Sequence, residues 1–268
     1  MRAIRSAIRP SIRSSFGLDI VDKLRAIITS LFSNGEQGAF YIPQPVVNGA
    51  QALFQDAAGT VPVTADGDPV GKMIDQSGNG NHATQEVSGS RPVYRTDGTL
   101  HWLEFDGVDD SLLTDAVTLT GTRCGASIAA SWNLDALNVK SAGSGFANFT
   151  FRLYRNSFSI YQSAPQRTNQ MSVVTSRTNA DVSVFTAIAS ESNAKAWQNG
   201  VQKGSRTTGA FLDFNAQAQP QRISLLATDN TGNFSSGFLY GAVVSLGYVE
   251  SQKDEVETYL ANLAGVTL

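Results

Sequence analysis

The sequence predicts a mainly β protein, an antiparallel sandwich or barrel with a helical segment at each end. Three observations carry that expectation. Between residue 36 and about residue 248, apolar residues fall into short period-two runs rich in β-branched and aromatic side chains. Clusters of Gly, Asn, Asp and Ser separate these runs, with no helical pattern between them, which excludes an alternating α/β layout. Outside that span the period changes to 3.6.

Residues 1–15, MRAIRSAIRPSIRSS, place Ile4, Ile8 and Ile12 four apart, with Arg2, Arg5, Arg9 and Arg13 three or four apart. The spacing is helical but broken by Pro10, which lacks an amide donor and disfavours helix at Arg9. Alone the segment buries too little to fold, so it reads either as an arm that orders against a partner or as a frayed tail. Residues 19–32, DIVDKLRAIITSLF, are a clearer helix. Ile20, Leu24, Ile27 and Leu31 follow 4–3–4 spacing, widened by Val21 and Ile28, with Asp19 and Asp22 toward the positive end of the helix dipole. SNG at 33–35 ends it. The stripe suits two uses: packing on the chain's own β body, or a small helix cluster in an oligomer.

The strands expected next are SIAASWNL (127–134), NFTFRLY (148–154), SFSIY (157–161), VSVFTAIA (182–189), AKAWQNGVQ (194–202), RISLLAT (222–228) and FLYGAVVSLGYV (238–249). Asn199-Gly200 inside the fifth run is a strong hairpin signal, because both residues tolerate positive φ. SQKDEVETYLANLAG (251–265) returns to helix, with Ser251 as N-cap, Val256, Tyr259, Leu260 and Leu263 on one face, and Gly265 as terminator.

Charge and cysteine narrow the function classes. The net charge is −3, so without the four arm arginines it is −7, which argues against a nucleic-acid binder. Cys124 is the one cysteine, which suggests a small buried side chain and a protein made in a reducing cytoplasm. No run approaches the ~18–20 apolar residues of a membrane helix, and the N-terminus has no apolar core of a signal peptide.

DQSGNGNHAT (75–84) advertises chemistry most openly. A phosphate loop would need a following lysine and a helix, and neither is present. Asx turns and glycine conformations account for Asp75, Ser77, Gly78, Asn79 and Gly80 without a ligand, leaving His82 as a packed or hydrogen-bonded side chain. LEFDGVDDSLLT (103–114) puts Glu104, Asp106, Asp109 and Asp110 within seven residues, and Asp106, Asp109 and Asp110 are candidate calcium ligands. Period two sets Leu103 and Phe105 opposite Glu104 and Asp106, so part of this run is a solvated strand face. Glu104 and Asp106 have the spacing of a glycosidase pair, but a catalytic acid needs apolar surroundings, and nothing in the flanks singles these two out. Among the aromatics on or beside strands (Trp102, Trp132, Trp197, Tyr154, Tyr161 and Tyr240), most should be core, with Trp102, Tyr154 and Tyr161 as candidate glycan contacts. No G-x-S-x-G or H-E-x-x-H is present, and the sequence does not read as an enzyme.

LFQDAAGTVPVTADGDPVGKMIDQSGNGNHATQ, followed by RPVYRTDGTLHWLEFDGVDDSLLT, resembles the opening of concanavalin A-like (laminin G-like) jelly-roll domains encoded by tailed bacteriophages. The "D-x-SG-x-GN" turn, the "F-DG-x-DD" strand end, the late Asn199-Gly200 hairpin and the closing strand and helix carry the likeness, over about residues 36–268. It implies a two-sheet jelly roll, with residues 1–35 as a separate basic arm and amphipathic helix. Glucanase relatives carry E-x-D-x-x-E, where this chain has EFDGVD with Asp109 last, so hydrolysis is not expected. The implied protein is a structural component of a tailed-phage virion, without nucleic-acid or membrane partner. It would be anchored to other virion proteins through Arg2, Arg5, Arg9, Arg13, Ile20, Leu24, Ile27 and Leu31 as a homotrimer. Its lectin-like module would serve tail, baseplate or fibre adhesion to host glycan, with calcium as the one suggested cofactor. The alternatives are a capsid decoration (cement) protein without ligand and a glycan hydrolase.

Overall fold

Two antiparallel sheets face each other across the core that the period-two runs predict. The computed structural model describes residues 15–133, 135–141, 148–154, 157–163, 171–174, 181–190, 192–207, 220–227 and 233–268. The order is α1 (Ser15–Phe32), β1 (Gly38–Tyr41), β2 (Val46–Val47), β3 (Ala50–Gln51), β4 (Leu53–Phe54), β5 (Lys72–Met73), β6 (Ala83–Thr84), β7 (Val93–Thr96), β8 (His101–Asp106), β9 (Leu112–Leu113), β10 (Arg123–Trp132), β11 (Asp135–Ser141), β12 (Asn148–Tyr154), β13 (Ser157–Ser163), β14 (Met171–Val174), β15 (Ser183–Ser190), β16 (Ala194–Gln198), β17 (Val201–Arg206), β18 (Gln221–Leu225), β19 (Ser236–Ser245) and α2 (Lys253–Ala264). The first sheet runs β17-β16-β15-β10-β19-β8-β7, with β1 also on β19, and the second runs β14-β13-β12-β11-β18-β9-β6-β5-β4. This is the expected two-sheet jelly-roll sandwich with its short C-terminal helix.

β10 shows why the first sheet carries helices. Its inward residues Cys124, Ala126, Ile128, Ala130 and Trp132 join the inter-sheet core. Its outward residues Gly125, Ser127, Ala129 and Ser131 are small, which lets a second layer approach closely. A side chain at Gly125 would meet the Tyr248 ring at 2.6 Å. Ser127 Oγ is 2.8 Å from both Thr186 Oγ1 and Tyr248 OH, so the buried hydroxyls satisfy one another. Cys124 is wholly buried and its thiol is pushed up to about 12, as an inert core side chain should be.

That outer layer contains both helices. Leu24, Ile27 and Leu31 of α1 are buried with Phe40, Val243, Tyr248, Val256, Tyr259 and Leu260. Ser245 Oγ donates to the Leu31 carbonyl (2.8 Å), and Gln252 Nε2 to that of Ser30 (2.6 Å). The apolar stripe of Leu24, Ile27 and Leu31, which the sequence also offered as an oligomerisation anchor, is therefore closed inside its own chain. The side chain of Ile20 and all of Arg2, Arg5, Arg9 and Arg13 lie outside the described residues. Because α1 starts at Ser15, Asp19 and Asp22 fall beyond the first turn, where the helix dipole has weakened.

At the other end, Ser251 does not cap α2. A 3-10 turn, Glu250–Gln252, precedes the helix, and Gln252 Oε1 accepts the Val249 amide at 2.8 Å instead. The expected face is buried through Val256, Tyr259 and Leu260, and the helix ends at Gly265 with φ +65°. Asn199 and Gly200 take φ +48° and +76° between β16 and β17, the predicted hairpin turn.

DQSGNGNHAT is a clasp between the sheets. It joins β5 to β6 in the second sheet, but its side chains bind β1 of the first. The buried Asp75 carboxylate accepts the Phe40 amide (2.8 Å) and the Ser77 amide (2.9 Å) at Oδ1. At Oδ2 it accepts Ser77 Oγ (2.7 Å) and the Asn81 amide (3.0 Å). Asn79 Nδ2 donates to the carbonyls of Glu36 (3.0 Å) and Gly38 (3.1 Å), and Asn81 Nδ2 to that of Gly38 (2.7 Å). Gly78 and Gly80 turn the loop with φ of +90° and +75°, where a side chain is disfavoured.

Two substitutions test these layers. Ile27→Ala should lower unfolding free energy by about 2–4 kcal/mol, read from urea denaturation, because it opens a cavity under α1. Asp75→Ala should cost about 2–4 kcal/mol in the same assay, since the buried Phe40 and Ser77 amides lose their acceptor.

Candidate functional site

β8 alternates as its sequence predicts. Leu103 and Phe105 enter the inter-sheet core, while Trp102, Glu104 and Asp106 face the other way. The β8–β19 register sets Leu239 opposite Leu103 and Phe238 opposite Glu104. Phe238 and Tyr240 therefore share the outer face with Trp102. The Trp102 ring lies 5.8 Å from Tyr240 at 32° and 6.4 Å from Phe238 at 74°. Tyr240 is buried, Trp102 partly exposed, and Phe238 37% exposed, so the cluster shows an aromatic edge to solvent. Burial, with the nearby Asp97 carboxylate, raises the Tyr240 hydroxyl pKa.

A charged pair adjoins the rings. Arg95 Nε on β7 donates to Glu104 Oε2 at 2.6 Å, and Arg95 Nη1 lies 3.6 Å from Asp66 Oδ2. Glu104 thus forms a charge-assisted bond with a fixed guanidinium.

β8 then runs into the acidic loop, and the structure brings the three predicted carboxylates together. Ligand atoms of Asp106, Asp109 and Asp110 lie within 4.8 Å of one another. Loop hydrogen bonds engage one oxygen of each. Asp106 Oδ1 accepts the Val108 amide (2.7 Å), Asp109 Oδ2 accepts Ser90 Oγ (2.9 Å), and Asp110 Oδ2 accepts the Asp106 amide (2.9 Å). Among the described residues no hydrogen bond takes the second oxygen of each, and a set of hard carboxylate oxygens suits calcium. Asp110 is buried, and burial, reinforced by Asp106, Asp109 and Glu104, pushes its pKa up to about 6. Three mutually repelling carboxylates, one out of water, form an arrangement that a divalent cation would relieve.

The other sequence candidates separate from this rim. Trp132 is inter-sheet core, and Trp197 is buried with the Lys253 ammonium 5.5 Å from its centroid. Tyr154 and Tyr161 lie on paired strands β12 and β13, and their side chains are outside the described residues. His82 is hydrogen-bonded, as expected, its Nδ1 accepting the Asp75 amide at 3.1 Å. Sequence reasoning missed Phe238 and Arg95. Alternation in GFLYG puts Phe238 and Tyr240 on one face, but only the pairing of β19 with β8 brings them to Trp102.

No protein-family description matches the chain, and no curated protein does. Solved structures do. The chain is similar to a GH54 α-L-arabinofuranosidase soaked with a cyclic sulfate inhibitor, at 14% identity and TM-score 0.55, over 91% of this chain and 64% of that one. It is also similar to the botulinum neurotoxin serotype D binding domain, at 10% identity and TM-score 0.51, over 88% of this chain and 52% of that one. The likeness is one of fold. It supports the β sandwich, and the chain spans about half of the neurotoxin domain.

The acidic loop yields a pH prediction for the metal-free protein. A carboxyl whose folded pKa lies near 6, above its ordinary value, stabilises the fold while protonated. That stability is present below about pH 4 and is lost as pH rises through about 6. Asp110→Asn should therefore raise unfolding free energy at pH 8 by about 1 kcal/mol and leave it nearly unchanged at pH 4, measured by urea denaturation in EDTA.

Proposed function

We propose that the chain is a carbohydrate-binding jelly-roll protein, and that the β8–β19 rim is its glycan site. The observation that supports this reading is the aromatic edge of Trp102 and Phe238 beside the Arg95–Glu104 pair and three clustered carboxylates. An aromatic face stacks on the C–H face of a sugar ring, and a fixed charged pair bonds its hydroxyls. Asp106, Asp109 and Asp110 would hold calcium, which when bound supplies a cation for sugar hydroxyls at the end of the same strand. Asp106 pairs with Ser236 in the same register that sets Glu104 against Phe238, which keeps the two features neighbours.

The setting we propose is a tailed-phage particle, where the chain would display this module for adhesion to host surface glycan. The likeness of its DQSGNGNHAT and EFDGVDD segments to phage-encoded jelly rolls supports that setting, as does the concentration of four arginines before residue 14. With the α1 stripe buried in the chain's own body, attachment to other virion proteins, and any trimer, falls to the arm with Arg2, Arg5, Arg9 and Arg13.

One observation favours a second reading, hydrolysis of a glycosidic bond. Asp110, raised to about 6, stands beside Asp106 and Asp109 with the proximity of an acid–nucleophile set. Against it, Asp110 is 95% buried and one of its oxygens is taken by the Asp106 amide, so a sugar oxygen reaches it poorly.

The test is binding of the full chain to a glycan array, followed by titration of the best ligand. Trp102→Ala with Phe238→Ala should weaken binding at least about tenfold without unfolding the protein. Calcium should raise both Tm and affinity, and Asp109→Asn should remove both effects. A chain that binds no glycan fits a decoration protein, and calcium-independent release of reducing sugar that Asp110→Asn abolishes fits a hydrolase.

A further inference from the structure

A second, chemically different site lies on the outer face of the second sheet. Met73 and Ala83 point into the inter-sheet core, so their strand neighbours Lys72 and Thr84, paired in register, point outward. His82 and Glu86, two residues to either side of Thr84, flank the same face. With Asp115 and Gln37, these residues line an open cleft of about 630 Å3. Its volume falls in the range of small-ligand sites.

The lining is notable for charges that stay apart. Among the described residues the Lys72 ammonium has no ion pair, and neither Glu86 nor Asp115 reaches it within the 4.0 Å of a salt bridge, although all three face one cleft. His82 adds a fixed donor. Its Nδ1 accepts the Asp75 amide, so the neutral ring carries its proton on Nε2. Burial and the neighbouring Lys72 lower its pKa, which keeps the ring neutral at pH 7. The cleft thus offers an ammonium and an imidazole N–H together with two carboxylates and neutral polar groups. Among the described residues no phenyl, phenol or indole ring lines the cleft, which disfavours an aromatic ligand. Among the described lining residues, one lysine against two acids gives a net charge of −1, which disfavours a dianionic phosphate more than a monoanion.

We propose that this cleft binds a saccharide unit bearing a single carboxylate, a uronate. Its carboxylate meets Lys72 and His82 Nε2–H, and its hydroxyls donate to Glu86 and Asp115. The site is independent of the aromatic rim, and its test separates the two. The isotope-labelled full chain is titrated with D-galacturonate, D-galactose and inorganic phosphate, followed by amide and imidazole NMR shifts. Galacturonate should shift resonances around residues 72, 82–86 and 115–118, with an affinity at least about tenfold above galactose. Lys72→Met, which keeps the apolar stem, should reduce that affinity about tenfold at unchanged Tm, and Lys72→Arg should restore part of it. Trp102→Ala should leave it unchanged. Equal response to galactose, stronger binding of phosphate, shifts confined to the surroundings of Trp102, or no response to galacturonate would each overturn the proposal.

Discussion

The Asp75 carboxylate is the interaction on which the arrangement depends. Its partners are the amides of Phe40, Ser77 and Asn81 and the Ser77 hydroxyl, all able to donate. An ionised carboxylate is acceptor-only, whereas an amide would aim two hydrogens at donors, so Asp fits here where Asn does not. Through this group the loop between β5 and β6 holds β1, and β1 lies on β19 from Gly38↔Ser245 to Tyr41↔Ala242. Asn79 extends the clasp to the Glu36 carbonyl, two residues beyond the described turn that ends α1. The same contacts therefore fix the seam between the sheets and the point from which α1 returns across the first sheet. His82 is held by the Asp75 amide, so the clasp also sets one wall of the polar cleft.

The helical layer determines where the first sheet can meet a ligand. α2 covers β10, β15 and β19, and the small outward residues of β10 make room for it. Its cover ends at Gly265, where a side chain would stand 3.1 Å from Leu100. Trp102, two residues further along, is packed on one side by this layer and open on the other beside Phe238. The aromatic edge is thus the continuation of a hydrophobic core past the end of its lid. That explains how a partly exposed tryptophan is packed against the layer on one side and keeps an edge to solvent on the other.

Much of this was legible in the sequence, and the gaps have physical causes. The run NFTFRLY is strand β12 to the residue, and EFD alternation placed Leu103 and Phe105 inside. Both depend on period two, which survives wherever one face is buried. β4, β5, β6 and β9 are two residues long and too short to show a period, so the second sheet's edge could not be read. β10 is buried on both faces, and its small outward residues hide the alternation. The α1 stripe was ambiguous because a helix against its own sheet and a helix in an oligomer need the same apolar spacing. Of the rim, the acidic loop was legible because its three carboxylates are local in sequence. The aromatic edge was only half legible, since Phe238 and Trp102 meet through a strand pairing 136 residues apart. The cleft draws Gln37, Lys72, His82 and Asp115 from separate segments, and no local pattern marks it.

Charge distinguishes what the two surfaces can accept. The rim sets Asp106, Asp109 and Asp110 at the end of a strand whose Glu104 is already neutralised by Arg95. Three carboxylates in a body of net charge −7 outside the arm arginines repel a polyanionic chain. A divalent cation, if held there as proposed, would reduce their charge from −3 to −1 and supply a centre that sugar hydroxyls can share. On the glycan-binding reading proposed above, the rim would suit neutral sugar, with metal, rather than charge on the ligand, supplying polar grip. The cleft has the reverse logic. Its lysine has no partner among the described residues, so a carboxylate entering there forms an ion pair without breaking one.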